Sequence, residues 1–231
     1  MSLDSTLIVH HLNDSRSQRI LWLLEELEVP YEIKKYQRNA DMTAPKELVD
    51  VNPLGTAPVI TDRGVTLAES GAIVEYIIDK YGGSKALPPD SGKVDNLFFT
   101  HYAEGSLMPL LVNKLIFSMI PDRAPFILRP ILRGVFNSLD SALINPRLKT
   151  QADYIEKHLS KCGDWFAGGQ GPTSADYMMS FALEAWANRS LDMLGPKSVE
   201  YVKRIQARRW RKAVNTNMQN PLFEPLDLEF K

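Results

Sequence analysis

Asn52-Pro53-Leu54-Gly55-Thr56-Ala57-Pro58-Val59-Ile60, followed by Arg63-Gly64 and then Glu69-Ser70, is the stretch on which the fold of this 231-residue chain turns. A turn leads into an X-Pro bond that opens a β-branched run. A two-residue turn and a second apolar run follow, and an acid and a serine begin a helix. Proline at the head of a strand removes one ladder donor and restricts the residue before it. The backbone of Ala57 is thereby left to pair with an extended ligand. Ser70 and the amides of the following helix suit a carboxylate. Taken singly, Asn-Pro-Leu-Gly is a loop and Ser70 before Gly71-Ala72-Ile73-Val74 is an N-cap. The ordered combination reads as a peptide-binding loop.

Upstream, Thr6 to Leu12 is rich in strand formers. Ser15 to Leu27 then places Ile20, Leu23, Leu24 and Leu27 at helical spacing and stops before Val29-Pro30. Tyr31 to Tyr36 reads as a second strand, which completes a βαβ unit, and Pro45 near the start of Ala44 to Val51 suits the first turn of a short helix. Pro58 to Thr61 and Val65 to Ala68 form a hairpin. Ser70 to Tyr81 carries Ile73, Val74, Ile77 and Ile78 up to Gly82-Gly83. The order β-α-β-α-β-β-α fills residues 1–82, and the Gly, Pro and polar content of 83–92 marks a linker. From 93 to 231 the strand signals largely cease. Helical periods run over roughly 94–119, 123–145, 147–161, 174–191 and 196–214, with an irregular tail from Asn220 that packs on the surface. The fold class is therefore α/β followed by all-α.

The composition, 44% hydrophobic and 24% charged, is that of an ordinary globular protein, and a net charge of −1 gives no general attraction to nucleic acid or anionic membrane. The basic run within Lys203 to Lys212 is interleaved with Ile205, Ala207 and Trp210, the pattern of a solvated amphipathic helix. A single cysteine, Cys162, excludes an internal disulfide and a multi-cysteine metal site, and it reads as a buried thiol. His10-His11 falls in the first strand, where neighbouring side chains point to opposite faces, so the pair cannot share a metal ion. No metal is expected. The N-terminus shows no secretory pattern, and the apolar region Leu107 to Phe136 is broken by four prolines and several charges. A cytoplasmic protein is expected, with peripheral contact to internal membranes left open.

Three segments resemble the soluble glutathione transferases, and the resemblance spans essentially the whole chain. They are Ser15-Arg16-Ser17-Gln18-Arg19-Ile20-Leu21-Trp22, the Asn52 to Val59 loop, and Leu67-Ala68-Glu69-Ser70-Gly71-Ala72-Ile73. In the helical half, Thr173-Ser174-Ala175-Asp176 is similar to the family's capping box, in which the acid three residues after the cap closes the helix start. More narrowly, Tyr102-Ala103-Glu104-Gly105-Ser106-Leu107-Met108-Pro109 resembles a fungal and bacterial branch. The resemblance implies a thioredoxin-like N-terminal domain, a C-terminal helical bundle and a homodimer. It implies glutathione as co-substrate, with no other cofactor. Glu69 and Ser70 match the pair that receives the γ-glutamyl end, Ala57 the residue whose backbone pairs with the cysteinyl part, and Pro58 the family's cis-proline. Thr56 stands where many relatives have Lys or Gln for the glycine carboxylate, so that contact is either weaker here or comes from elsewhere, with Arg38 and Lys46 as the candidates.

Activation of the thiol is the catalytic task such a protein faces. An ordinary thiol of pKa about 8.5 is only a few per cent ionised at neutral pH, and lowering it by about 2 units requires about 2.7 kcal/mol of preferential thiolate stabilisation. A hydrogen bond to a charged group supplies about 1.5–3 kcal/mol. A helix N-terminus adds roughly 0.3–1 kcal/mol. Ser15, four residues before Arg19, reproduces the spacing of the serine-type branches and offers both as a donor to the sulfur. Asn13 is the rival donor, and either residue could instead simply cap the helix. The electrophile pocket is expected between the domains, lined by Tyr102, Glu104, Ser106 and Met108. Conjugation to hydrophobic electrophiles, in detoxification, is the implied activity. Peroxide reduction at the same thiolate and a non-catalytic glutathione-binding module are the alternatives.

Overall fold

The computed structural model describes residues 6–215. The tail from Asn220 and the side chains at 191 and 209–215 lie outside the described residues. Four strands make one mixed sheet in the order β2-β1-β3-β4, built from β1 (Leu7–Leu12), β2 (Tyr31–Tyr36), β3 (Val59–Asp62) and β4 (Val65–Ala68). β1 and β2 are parallel, with Leu7 opposite Tyr31 and Leu12 opposite Tyr36, while β3 runs antiparallel to both β1 and β4. The β3–β4 turn is Arg63-Gly64, both with positive φ (49° and 85°), the backbone twist a two-residue hairpin needs.

Helix α1 (Gln18–Leu27) crosses from β1 to β2 and is buried on almost every side, Arg19 through Leu27 included, because the sheet lies on one face and the helical half on the other. It ends without a glycine. Glu28 adopts φ 59°, and the Val29 N–H closes back on the Leu24 carbonyl at 3.0 Å. Helix α2 (Lys46–Val49) is one turn, and α3 (Ser70–Tyr81) packs beside α1 on the sheet. This is the expected thioredoxin-like arrangement. The linker then runs tightly against the other half: a Cβ on Gly92 would stand 1.8 Å from the Ala167 carbonyl oxygen, so no larger residue fits that crossing.

The helical half contains α4 (Lys93–Tyr102), α5 (Met108–Arg123), α6 (Arg129–Leu139), α7 (Asn145–Cys162), α8 (Ser174–Ser190) and α9 (Pro196–Asn215). Its boundaries correct the sequence reading in two respects. The break expected near 119–123 falls later, because Pro121 deletes only one N–H near the end of α5. Pro125 instead forces Ala124 into extended backbone (ψ 157°) and stops the helix. Residues 140–144 do not end a helix either: a wide π turn there leads into α7, whose start holds Pro146. A second π turn at Ala103–Leu107 precedes Pro109 in the same way. In each case the proline has no N–H for the carbonyl four residues back, and the backbone slips to the wider turn.

One core spans both halves. Trp22 of α1 meets Tyr177 of α8 edge-on at 4.7 Å between centroids, and Phe99, His158, Phe166 and Tyr201 continue the aromatic packing. Arg208 of α9 grips Glu26 of α1 through two bonds of 2.6 and 2.9 Å. At the head of α8, Asp176 is fully buried and accepts from the Thr173 N–H at 2.9 Å and the Thr173 hydroxyl at 3.1 Å. It also accepts from the Phe166 N–H at 3.0 Å and the Tyr201 hydroxyl at 3.1 Å. Burial pushes its carboxyl up to about 6 against the pull of those donors.

Candidate functional site

With β1 and β2 parallel and β3 antiparallel, the carboxyl ends of β1, β2 and β4 and the start of β3 share one end of the sheet. The sequence attaches its chemistry there: residues 13–17 after β1, 37–42 after β2, Thr56 to Pro58 before β3, and Glu69-Ser70 after β4. Leu12, Tyr36 and Leu48 form a small buried cluster against which Ala44 and Ala57 pack, which ties the Ala57 loop to the end of β1. The Ala57–Pro58 peptide bond is cis. Asn52 shapes the loop before it: its amide donates to the Thr56 carbonyl at 3.0 Å and to the Thr56 hydroxyl at 3.1 Å, and its carbonyl side accepts the Leu54 N–H at 3.3 Å. Gly55, at φ 61°, makes the turn. Glu69 is exposed at φ 71°, and Ser70 is the first, buried residue of α3, so acid and hydroxyl meet at a helix N-terminus.

Between the end of β1 and α8 lies a cleft of about 580 Å³. His11, Asn13, Asp14, Ser15 and Gln18 line one side, and Phe181, Glu184, Ala185, Asn188 and Arg189 of α8 line the other. Both candidate sulfur donors therefore face one cleft, and the helix begins at Gln18 rather than at Ser15. Their engagements differ. The Asn13 amide donates to Asp14 Oδ2 at 2.9 Å, and its oxygen accepts the Arg38 N–H at 2.7 Å. Among the described residues the Ser15 hydroxyl has one hydrogen-bond neighbour, the buried Ser17 hydroxyl at 2.8 Å. A Ser17 proton given to Ser15 leaves the Ser15 proton free for an anion in the cleft.

Several predicted residues are placed elsewhere. None of Tyr102, Glu104, Ser106 and Met108 lines this cleft, and neither do Arg38, Thr56, Ala57, Pro58, Glu69 and Ser70. Tyr102 is buried with its hydroxyl on Gln151, Met108 is in the core, and Ser106 is exposed on the π turn. Glu104 instead meets the wholly buried Arg19 guanidinium at 2.8 Å and Arg16 at 3.4 Å. Burial pushes the Arg19 guanidinium down to about 10, and Glu104 opposes that fall. Arg19 also lies 4.8 Å over the Phe181 ring. Arg38 spends its guanidinium on the Asn13 and Met42 carbonyls, at 3.2 and 3.0 Å, and Lys46 is bound to Asp50 at 2.7 Å.

His10 and His11 face opposite ways, as strand geometry requires. His10 is held between the Tyr36 and Thr61 hydroxyls, at 2.8 and 3.0 Å. His11 is buried at the cleft, and its Nδ1 meets no partner among the described residues. Burial, then Lys35, lowers its pKa against Asp14, which keeps the ring neutral at pH 7. Cys162 is half-buried, and burial pushes its thiol up to about 11. Among the described residues no cluster of His, Cys, Asp and Glu could hold a metal ion. The α8 wall was missed in the sequence because its residues form no motif; only the spacing 181, 184, 185, 188 marks one helix face.

Sheet order, the cis-proline loop and the acid and serine at a helix start mark a thioredoxin-like protein with a cleft at one end of its sheet. Residues 5–79 match the family described as the glutathione S-transferase N-terminal domain. Glutathione S-transferase 3 of Schizosaccharomyces pombe is 37% identical over 211 residues, 90% of this chain and 83% of that protein. Glutathione S-transferase 1 of Saccharomyces cerevisiae is 35% identical over 185 residues, 76% of this chain and 79% of that protein. A solved glutathione S-transferase from Actinobacillus pleuropneumoniae superposes with a TM-score of 0.69 at 24% identity, covering 96% of this chain and 98% of its own. The chain belongs to the glutathione S-transferase family.

Proposed function

We propose that this protein is a glutathione transferase, with a glutathione-binding domain in residues 1–82, a linker over 83–92 and an electrophile-binding helical domain in 93–231. The observation that carries the reading is Ser15, which lines the cleft just before α1 begins at Gln18. Glutathione lies along the end of the sheet, its γ-glutamyl group on Glu69 and Ser70 and its cysteinyl backbone on Ala57 and Pro58, with Thr56 and Arg38 toward the glycine end. Ser15 donates to the sulfur, the thiol proton passes to solvent, and the retained pair attacks the electrophilic carbon. The carbon–sulfur bond forms as the leaving group departs with its bonding pair. A hydroxyl donor and a helix terminus together reach the roughly 2.7 kcal/mol that a 2-unit lowering needs.

Glutathione-dependent conjugation of a generic aryl halide by wild type, Ser15→Ala and Asn13→Ala tests the assignment, with the ultraviolet absorbance of the bound thiolate followed against pH. Ser15→Ala should raise the bound thiol pKa by about 1–2 units. Full activity in that variant removes Ser15 from the role and passes it to Asn13. Glutathione binding with no turnover of several electrophiles would make the protein a binding module. The exposed Val94, Leu97 and Phe98 on α4 and Val65 on β4 support a homodimer, which sedimentation reads directly. A cytoplasmic location fits the family. Phe126 and Ile127, 76% and 70% exposed at the α5–α6 turn, support peripheral contact with internal membranes.

A further inference from the structure

Beside the Ser15 cleft, a second cavity of about 310 Å³ opens between α5 and α8. Leu111, Leu115, Ala185, Trp186, Arg189 and Ser190 contribute to its walls. Ala185 and Arg189 line both spaces, so a molecule seated in the smaller one reaches toward the cleft that holds Ser15. Its volume suits one substituted ring. A cation at the junction of the two spaces sets it apart from a purely apolar hole. Arg189, at the junction of the two spaces, is exposed and has no hydrogen-bond or ion-pair partner among the described residues. Lys114, the other cation at this cavity, is already committed to Asp140 and Asn145 at 2.8 and 2.7 Å. A guanidinium with no partner among the described residues, beside leucine side chains, describes a site for an apolar body carrying an anion.

We propose that this cavity selects electrophiles that carry a carboxylate, with Arg189 receiving the acid and Leu111 and Leu115 the ring. The proposal rests on the transferase reading for its consequence, not for the binding itself. In the reaction, the glutathione sulfur forms a bond to the electrophilic carbon and the carbon–halogen bond breaks with its pair to halide. The carboxylate takes no part beyond binding.

A matched series tests it: 4-(chloromethyl)benzoate, its methyl ester and benzyl chloride, with the affinities of the three corresponding S-benzyl-type glutathione conjugates measured by calorimetry. Each ratio is corrected for the uncatalysed rates. Arg189→Gln should lower the acid-to-ester ratio of kcat/KM about tenfold, since a site built for a charged group loses that discrimination with its partner. The conjugate affinities should shift in the same ratio. An unchanged ratio in Arg189→Gln, which alters only an exposed side chain, overturns the proposal. A wild type that turns over none of the three yet binds the acid conjugate preferentially defeats the transferase reading and leaves this one standing.

Discussion

Glu104→Gln is the sharpest test of how the two halves hold each other. Arg19 is wholly buried on α1, and its Nε and Nη2 meet no acceptor among the described residues, so the Glu104 carboxylate at 2.8 Å is its principal counter-charge. The guanidinium, near 10 with Glu104 in place, is ionised at pH 7, and deleting the carboxylate removes the charge that holds it up against burial. Breaking a buried pair by deleting one partner costs about 3–5 kcal/mol. Glu104 keeps 32% of its side chain exposed, and water can partly stand in, so about 2–3 kcal/mol is expected here. Arg19→Met removes the buried cation and keeps the volume, a change of about 1 kcal/mol or less. The double variant should then be more stable than Glu104→Gln alone. Urea unfolding at pH 7, extrapolated linearly, reads all three variants. The reasoning is refuted if Glu104→Gln costs under about 0.5 kcal/mol, or if Arg19→Met is the worse change by more than about 1 kcal/mol.

Stability should also depend on pH through Asp176. Its folded pKa of about 6 lies above the ordinary 3.8, so folding favours the protonated acid. The stability it contributes is complete below pH 4 and is lost as pH rises through 6. Wild type should therefore gain about 1 kcal/mol from this group between pH 7.5 and 5, a gain that Asp176→Asn lacks. Equal differences between the two proteins at both pH values would contradict the burial argument. Asn52→Ala removes three hydrogen bonds from the loop before Pro58 and should cost about 2 kcal/mol in stability. Its KM for glutathione should rise more than its kcat falls, and a reversed order would detach that loop from binding.

The halves themselves were legible in the chain because they rest on local rules. Period-2 runs and the Arg63-Gly64 turn gave the hairpin, helical spacing gave α1 and α3, and the ordered pair of Ala57-Pro58 and Glu69-Ser70 pointed to a peptide ligand. Local signals also misled where prolines were concerned. Pro121 looks like a stop and is carried inside α5, while Pro125 ends it through the residue before it. The Thr173 to Asp176 capping box was read from spacing, yet that spacing could not show that the same carboxylate also holds Phe166 and Tyr201.

Architecture was readable along the chain, since turns, periodicity and loop motifs are properties of neighbours in sequence. Which side chains line the cleft emerges from the folded packing alone. Tyr102 and Glu104 sit in a segment that resembles the family closely, but one is spent on Gln151 and the other on Arg19. The cleft wall comes from Phe181, Glu184 and Arg189, more than 160 residues from Ser15 in the chain and brought opposite it because α1 and α8 bury their apolar faces against each other. A side chain's partner is set by which surfaces must leave water together, and that is not written in any single stretch of the chain.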